Sequence, residues 1–283
     1  MVVLQVFGDE SGAGPIPVAD SDDVFVAAAV AITDHSRLAA VPLRRSNPQF
    51  TARWLVHVGA IPSCAYVLPV PGFGDALARR IARLSTLALS AQRVTGKNRA
   101  FVPPGGLRAP NAVWMATMKA AVLRAIDAFI LREQRPPDRV EVFLNSKSLN
   151  PQVRALAEVG TRELGVTLRD TILRMQVSAP AAAKMYPGAP LIDPNAVTVE
   201  WDDAPGFSGS PAGIHLADSL ATNMFFDLRR DEGKRGPRGM RKAMADAGYD
   251  KHYLIDITPH VVAPIHRETL ELYRRDVGIV PPW

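Results

Sequence analysis

The residues best suited to chemistry are Asp9 and Glu10, in the run Phe7-Gly8-Asp9-Glu10-Ser11-Gly12 that directly follows an apolar, β-branched stretch. Ligands and catalytic groups gather at the carboxyl ends of strands, where loops stand exposed over a rigid frame. The plainer alternative is a turn that Asp9 caps while Gly8 and Gly12 supply backbone freedom. A second carboxylate, Asp218, falls in a helix opened by Ser210-Pro211, at the rim of its apolar stripe beside Ile214 and Phe225. A carboxylate there needs a hydrogen-bond donor, a cation or a raised pKa, because desolvating it alone is expensive. Pairing with Arg229 or Arg230 would meet that need without any chemistry. His215, three residues before Asp218, shares its side of the helix and could serve as base or ligand, or as an ordinary hydrogen-bonding residue.

Several reaction classes are excluded by what the chain lacks. It has no HExxH, no phosphate-binding Walker loop, no CxxC pair and no deaminase signature. Ser11 fails the nucleophile-elbow pattern, since Asp9 stands where that turn needs glycine. Cys64 is the sole cysteine, so it forms neither an internal disulfide nor a thiolate zinc site, and reads as a buried small hydrophobe.

The elements that must position these groups follow from patterning. Val2 to Phe7 predicts a buried strand with Asp9 just beyond its end, Val24 to Ile32 a second, and Ser63 to Val70 a third. Phe73 to Val94 has helical spacing, and Thr95 to Pro110 is a basic loop carrying Lys97, Arg99 and Arg108. Asn111 is placed to cap a helix whose apolar positions Met115, Met118, Val122, Ile126 and Phe129 recur at three and four residues, ending before Pro136. Arg139 to Leu144 predicts a strand, Pro151 to Leu164 a helix, Asp170 to Val177 a strand and Val197 to Trp201 another. Ser210 then caps a helix running to about Arg230. Strands that precede and then alternate with helices predict an α/β fold, a mixed sheet flanked by helices on both faces.

Of the 283 residues, 47% are hydrophobic and 22% charged, which argues for a folded chain and against disorder. The N-terminus lacks a basic region, and its apolar run stops at Gly8, too soon for a signal peptide or membrane helix, so a cytoplasmic location without membrane association is expected. A net charge of +5 favours a polyanionic partner, since neutralising phosphates releases counterions. Lys234, Arg235, Arg238, Arg241 and Lys242 concentrate positive charge after residue 230, and a short amphipathic segment follows at 267 to 275.

The opening Phe7-Gly8-Asp9-Glu10-Ser11-Gly12, the apolar strand from Phe25 to Ile32 and the late run Gly213-Ile214-His215-Leu216-Ala217-Asp218-Ser219-Leu220-Ala221 resemble the domain-of-unknown-function 3800 family. That family begins with a strand ending in Asp-Glu-Ser-Gly and closes with a helix bearing Leu-Gln-Leu-Ala-Asp. The likeness spans residues 2 to 230 and implies a ribonuclease-H-like domain over 1–230; 231–283 lies beyond it, a basic extension packed on or next to that domain that could dock a partner or a second copy. It implies an Mg²⁺- or Mn²⁺-dependent nuclease acting on DNA or RNA, in bacterial defence or a mobile element, with Asp9 and Asp218 facing each other across a metal site. Two cations about 4 Å apart would stabilise the attacking and leaving oxygens of phosphodiester hydrolysis. Asp9 would bridge them, Asp218 would bind one, and Glu10 is a weaker ligand. Two departures stand out. Asn145 replaces the acid expected after the strand Val140 to Leu144, so that Glu200, Asp202 or Asp203 would have to supply a carboxylate, and His215 replaces the family glutamine. Asn145 motivates the alternative of a catalytically inactive ribonuclease-H-like protein that binds nucleic acid or a protein partner through the basic segment at 229 to 242.

Overall fold

The computed structural model describes residues 1–12, 24–42, 47–68, 109–145, 151–177, 184–229 and 238–258. They form a mixed six-stranded sheet flanked by helices. In chain order the elements are β1 (Val3–Gly12), β2 (Phe25–Ile32), α1 (Pro48–His57), β3 (Ile61–Val67), α2 (Ala109–Glu133), β4 (Arg139–Leu144), α3 (Pro151–Val177), β5 (Val197–Trp201), α4 (Pro211–Leu228), α5 (Met240–Asp246) and β6 (Leu254–Asp256). The strand order is β5-β4-β1-β2-β3-β6. Strand β2 runs antiparallel to both β1 and β3, while β4 lies parallel to β1, β5 to β4 and β6 to β3.

Alternation along the strands assigns each face its core. Leu4, Val6, Ala27, Ala29, Val140 and Val142 pack under α2 and α3, whereas Phe7, Val26, Ala28, Val30 and Phe143 pack under α1, α4 and α5. All eight residues of β2 are buried. That is the expected state of a strand in mid-sheet covered on both faces, and it explains an unbroken apolar run in place of alternation. Helix α4 settles closely on β1 because Gly213 has no side chain: a Cβ there would lie 2.5 Å from the Phe7 ring. At the end of β1, Gly12 adopts φ +120°, a conformation that other residues avoid.

Helix α2 is tied to the segment before β5 through Asp127, whose side chain is fully buried. Its Oδ1 accepts the backbone N–H groups of Gly188 and Ala189, and Arg124 Nη1 lies 3.6 Å from Oδ2. Burial nonetheless raises the pKa of this carboxyl above the ordinary aspartate value. Arg124 also donates from Nε to the carbonyl of His252 at 2.7 Å, joining α2 to the segment that leads into β6.

The structure corrects several expectations. Asp9 lies inside β1, because the strand continues through Gly12 in register with β2. The third strand begins at Ile61 and ends at Val67. Helix α2 starts at Ala109, so Asn111 is within its first turn and does not cap it. The strand expected over Asp170 to Val177 is the second half of one continuous helix, α3. Its buried residues Leu164, Leu168, Ile172 and Met175 recur at four, four and three, a helical stripe that outweighs the β-branched Thr171 and Ile172. Helix α4 stops at Leu228, and Ser210, although at the cap position, makes no side-chain capping bond. Helices α1 and α5 and strand β6 were not anticipated. The helix expected over 73 to 94, nearly all of the basic loop and the amphipathic segment at 267 to 275 lie outside the described residues. No described helix is long and apolar enough to cross a membrane.

Candidate functional site

The ladder itself assembles the first part of the site. Gly8 of β1 pairs with Leu144 of β4, which pairs with Trp201 of β5. One step further the pattern continues past the strand ends: Asn145 N–H donates to the Gly8 carbonyl at 3.1 Å and Asp202 N–H to the Leu144 carbonyl at 2.9 Å. Asp9, Asn145 and Asp202 therefore follow one another across three adjacent parallel chains. Their common row lies one step beyond Gly8 and two beyond Phe7, at the carboxyl end of the sheet. Phe7 and Phe143, each two residues earlier on its own strand, stack beneath that row with centroids 5.6 Å apart, and Phe207 meets Phe143 edge-on at 5.3 Å. Phe7 and Phe143 are buried there.

Asp9 is only 2% exposed. Its Oδ1 accepts the backbone N–H of Glu10 at 2.7 Å, and its Oδ2 accepts the Asn145 Nδ2 amide at 2.9 Å. A buried carboxylate is costly unless its oxygens are met by donors, and both are. Asn145 thus occupies the place where an acid was expected and acts as a neutral donor to Asp9. Glu10 contributes its backbone here, whereas its side chain, next along the strand, falls on the opposite face with Ala27. Ser11 returns to the face of Asp9 and is half-buried.

Asp218 is half-buried on α4, the helix that covers this face over β1 and β2. Its Oδ1 accepts from Thr222 Oγ1 one turn later at 3.2 Å. His215 is likewise half-buried on α4, and Glu200 on β5. Asp203 is exposed in the turn after β5. Among the described residues no three His, Cys, Asp or Glu side chains gather where a metal ion could be held. No protein-family model and no curated protein matches the chain. The functional reading therefore rests on this geometry together with the sequence motifs.

Of the basic residues singled out in the sequence, Arg238 is exposed just before α5, while Lys97, Arg99, Arg108, Lys234 and Arg235 lie outside the described residues. Sequence reasoning missed a group the fold brings together at the β3–β6 edge. Tyr66, Tyr249, Tyr253, Asp227, Arg241 and Lys242 line one cavity of about 670 Å³. These residues come from β3, α4, α5 and the segment leading into β6, and no local motif links them.

Proposed function

We propose that the chain is a divalent-cation-dependent nuclease of ribonuclease-H-like architecture that hydrolyses phosphodiester bonds of DNA or RNA. The observation that carries the reading is the row Asp9, Asn145 and Asp202 at the carboxyl end of the sheet, with Asp9 buried, beneath the face covered by the helix that bears Asp218. Central placement of the first strand in a mixed sheet and the covering late helix support the ribonuclease-H-like assignment.

Without a gathering of three acids, the described residues do not fit a two-cation centre built by the protein alone. In this reading they would hold one hard cation: Mg²⁺ and Mn²⁺ take oxygen ligands, and Mg²⁺ is commonly held by one or two carboxylates, with waters and substrate phosphate completing an octahedron. Asp9 is the principal ligand in this reading, with Asp218 or Asp202 the second carboxylate and the Asn145 amide oxygen available if the side chain turns over. A bound cation supplies polarisation of the phosphoryl oxygens and a more acidic attacking water. The chain's own part is positional. The Glu10 N–H and the Asn145 amide hold the Asp9 carboxylate in one orientation.

The test is calorimetric titration of the full chain with Mn²⁺, alongside Asp9→Asn and Asp218→Asn, followed by cleavage assays on labelled single-stranded DNA and RNA. The expected result is binding that both substitutions abolish, and cleavage that Asp9→Ala and Asp218→Ala abolish while the proteins stay folded. Cleavage that survives both alanine variants would sink the proposal.

The amide donated by Asn145 to Asp9 favours a second reading, a catalytically inactive relative that binds nucleic acid or a protein partner. It predicts salt-sensitive binding with no turnover in any metal.

A further inference from the structure

We propose that the tyrosine-lined cavity at the β3–β6 edge is a base-stacking subsite for single-stranded nucleic acid, an inference that rests on the nuclease reading and deepens it. At about 670 Å³ the cavity is within the size range of ligand pockets and has room for a base with its sugar. Tyr66 of β3 and Tyr249 after α5 contribute half-buried rings and the buried Tyr253 completes the lining, and an aromatic wall accepts any base because every base has a π-face. Tyr249 is oriented by donating its hydroxyl to the Ala60 carbonyl at 3.2 Å. Burial pushes the Tyr253 phenol up to about 12 and also raises Tyr66, so the rings stay neutral beside a phosphate.

The cations sit where a backbone phosphate would follow a stacked base. Arg241 and Lys242 line the cavity from α5, with side chains 57% and 78% exposed. Each has an acidic partner with which a phosphate would compete. Asp227 directs its oxygens at the backbone N–H groups of Gly239 and Arg241, at 2.8 and 2.7 Å, and lies 3.5 Å from Arg241 Nε. The Lys242–Asp246 pair is solvent-exposed, and such pairs contribute little, so a phosphate can exchange for the carboxylate. These two cations also disfavour an ammonium ligand, which a cage of tyrosines might otherwise attract.

Register connects this cavity to Asp9. Ser11 pairs with Val26, and Val26 with Tyr66, so Tyr66 shares the face and the sheet end of Asp9. With two strand spacings across and two residues along, the Cα atoms of Asp9 and Tyr66 are about 12 Å apart.

The experiment is fluorescence anisotropy of the full chain with labelled ten-residue thymidine and uridine oligomers in EDTA, so that no cleavage intervenes. Tyr66→Leu is expected to weaken binding about tenfold, the effect of one lost stacking contact, and Tyr66→Phe to retain it. Arg241→Gln is expected to weaken binding and flatten its salt dependence, while Arg162→Gln on α3, at the opposite edge, leaves it unchanged. Unchanged affinity in Arg241→Gln, or in a folded Tyr66→Leu, overturns the proposal, as does failure of the wild type to bind either oligomer. Should Tyr66→Leu not fold, Arg241→Gln decides alone. Binding that depends on these residues without any Mn²⁺-dependent cleavage would sink the nuclease reading and keep the subsite. Cleavage lost in Asp9→Asn, with oligomer binding indifferent to Arg241, would do the reverse.

Discussion

At Asp9 one oxygen takes a backbone N–H and the other an amide, so two dipoles meet the buried charge. Replacing the amide donor with an acid reverses that balance. Asn145→Asp would place a second carboxylate where a 2.9 Å hydrogen bond now stands, and two like charges at that separation cannot both ionise cheaply. Without metal the variant is expected to lose about 1–3 kcal/mol of stability, the cost of removing a donor from a buried acceptor. Mn²⁺ should then restore more stability than it gives the wild type, because the added charge tightens the site and ligand binding to the folded state raises its stability. Thermal melts in EDTA and in Mn²⁺ read both effects. An identical melting midpoint for the two proteins in EDTA would show that residue 145 does not control the charge at Asp9.

Elements here depend on a few close approaches. Helix α4 carries Asp218 over β1 only because Gly213 admits the Phe7 ring, so Gly213→Ala should push the helix away and cost about 1–3 kcal/mol, the usual range for overpacking. A midpoint within error of wild type in denaturant melts would refute that. Helix α2 depends instead on Asp127. Asp127→Ala leaves the Gly188 and Ala189 N–H groups without their acceptor and should cost about 1–3 kcal/mol, whereas Asp127→Asn keeps an acceptor oxygen and should cost less. The folded pKa of Asp127 lies above its unfolded value. Its stabilising contribution is therefore complete below the unfolded pKa, near 3.8, and is lost as pH rises through the folded pKa. Asp127→Asn should remove that slope, and a slope equal to wild type in pH-dependent melts would contradict it. The same scale explains what the sequence made legible. Strands β1, β2, β4 and β5 announce themselves through apolar or alternating runs, and Asn145 could be placed beside Asp9 because both follow such runs. Helix α3 runs on through Gly165, where an added Cβ would meet the Val199 side chain of β5 at 3.5 Å. Helix α1 carries a capping signal in Asn47-Pro48, where the Asn47 side chain accepts the Phe50 N–H at 2.9 Å. The tyrosine cavity had no such signal, since only long-range pairing assembles it.

For the whole molecule, the described residues after 230 are 238–258. Three features tie them to the sheet and its core. Met240 and Met244 are fully buried in the core beneath α4, and Tyr253 is 9% exposed there. Strand β6 extends the sheet beyond β3, with Cys64, Ala65 and Tyr66 paired to Leu254, Ile255 and Asp256. The main chain then continues the union, as Ile257 N–H donates to the Tyr66 carbonyl at 3.0 Å and Leu68 N–H to Thr258 Oγ1 at 2.9 Å. Without β6, β3 would become an unprotected edge whose residues are almost all buried apolar ones, the arrangement that invites edge-to-edge association. Termination after Asp250 should therefore cost at least about 3 kcal/mol, the scale of emptying one large core position, and should drive concentration-dependent association. Denaturant melts and size-exclusion profiles over a concentration series check both. A truncated chain that stays monomeric with an unchanged midpoint would mean that the sheet is complete at β3 and that the C-terminal segment is an appendage.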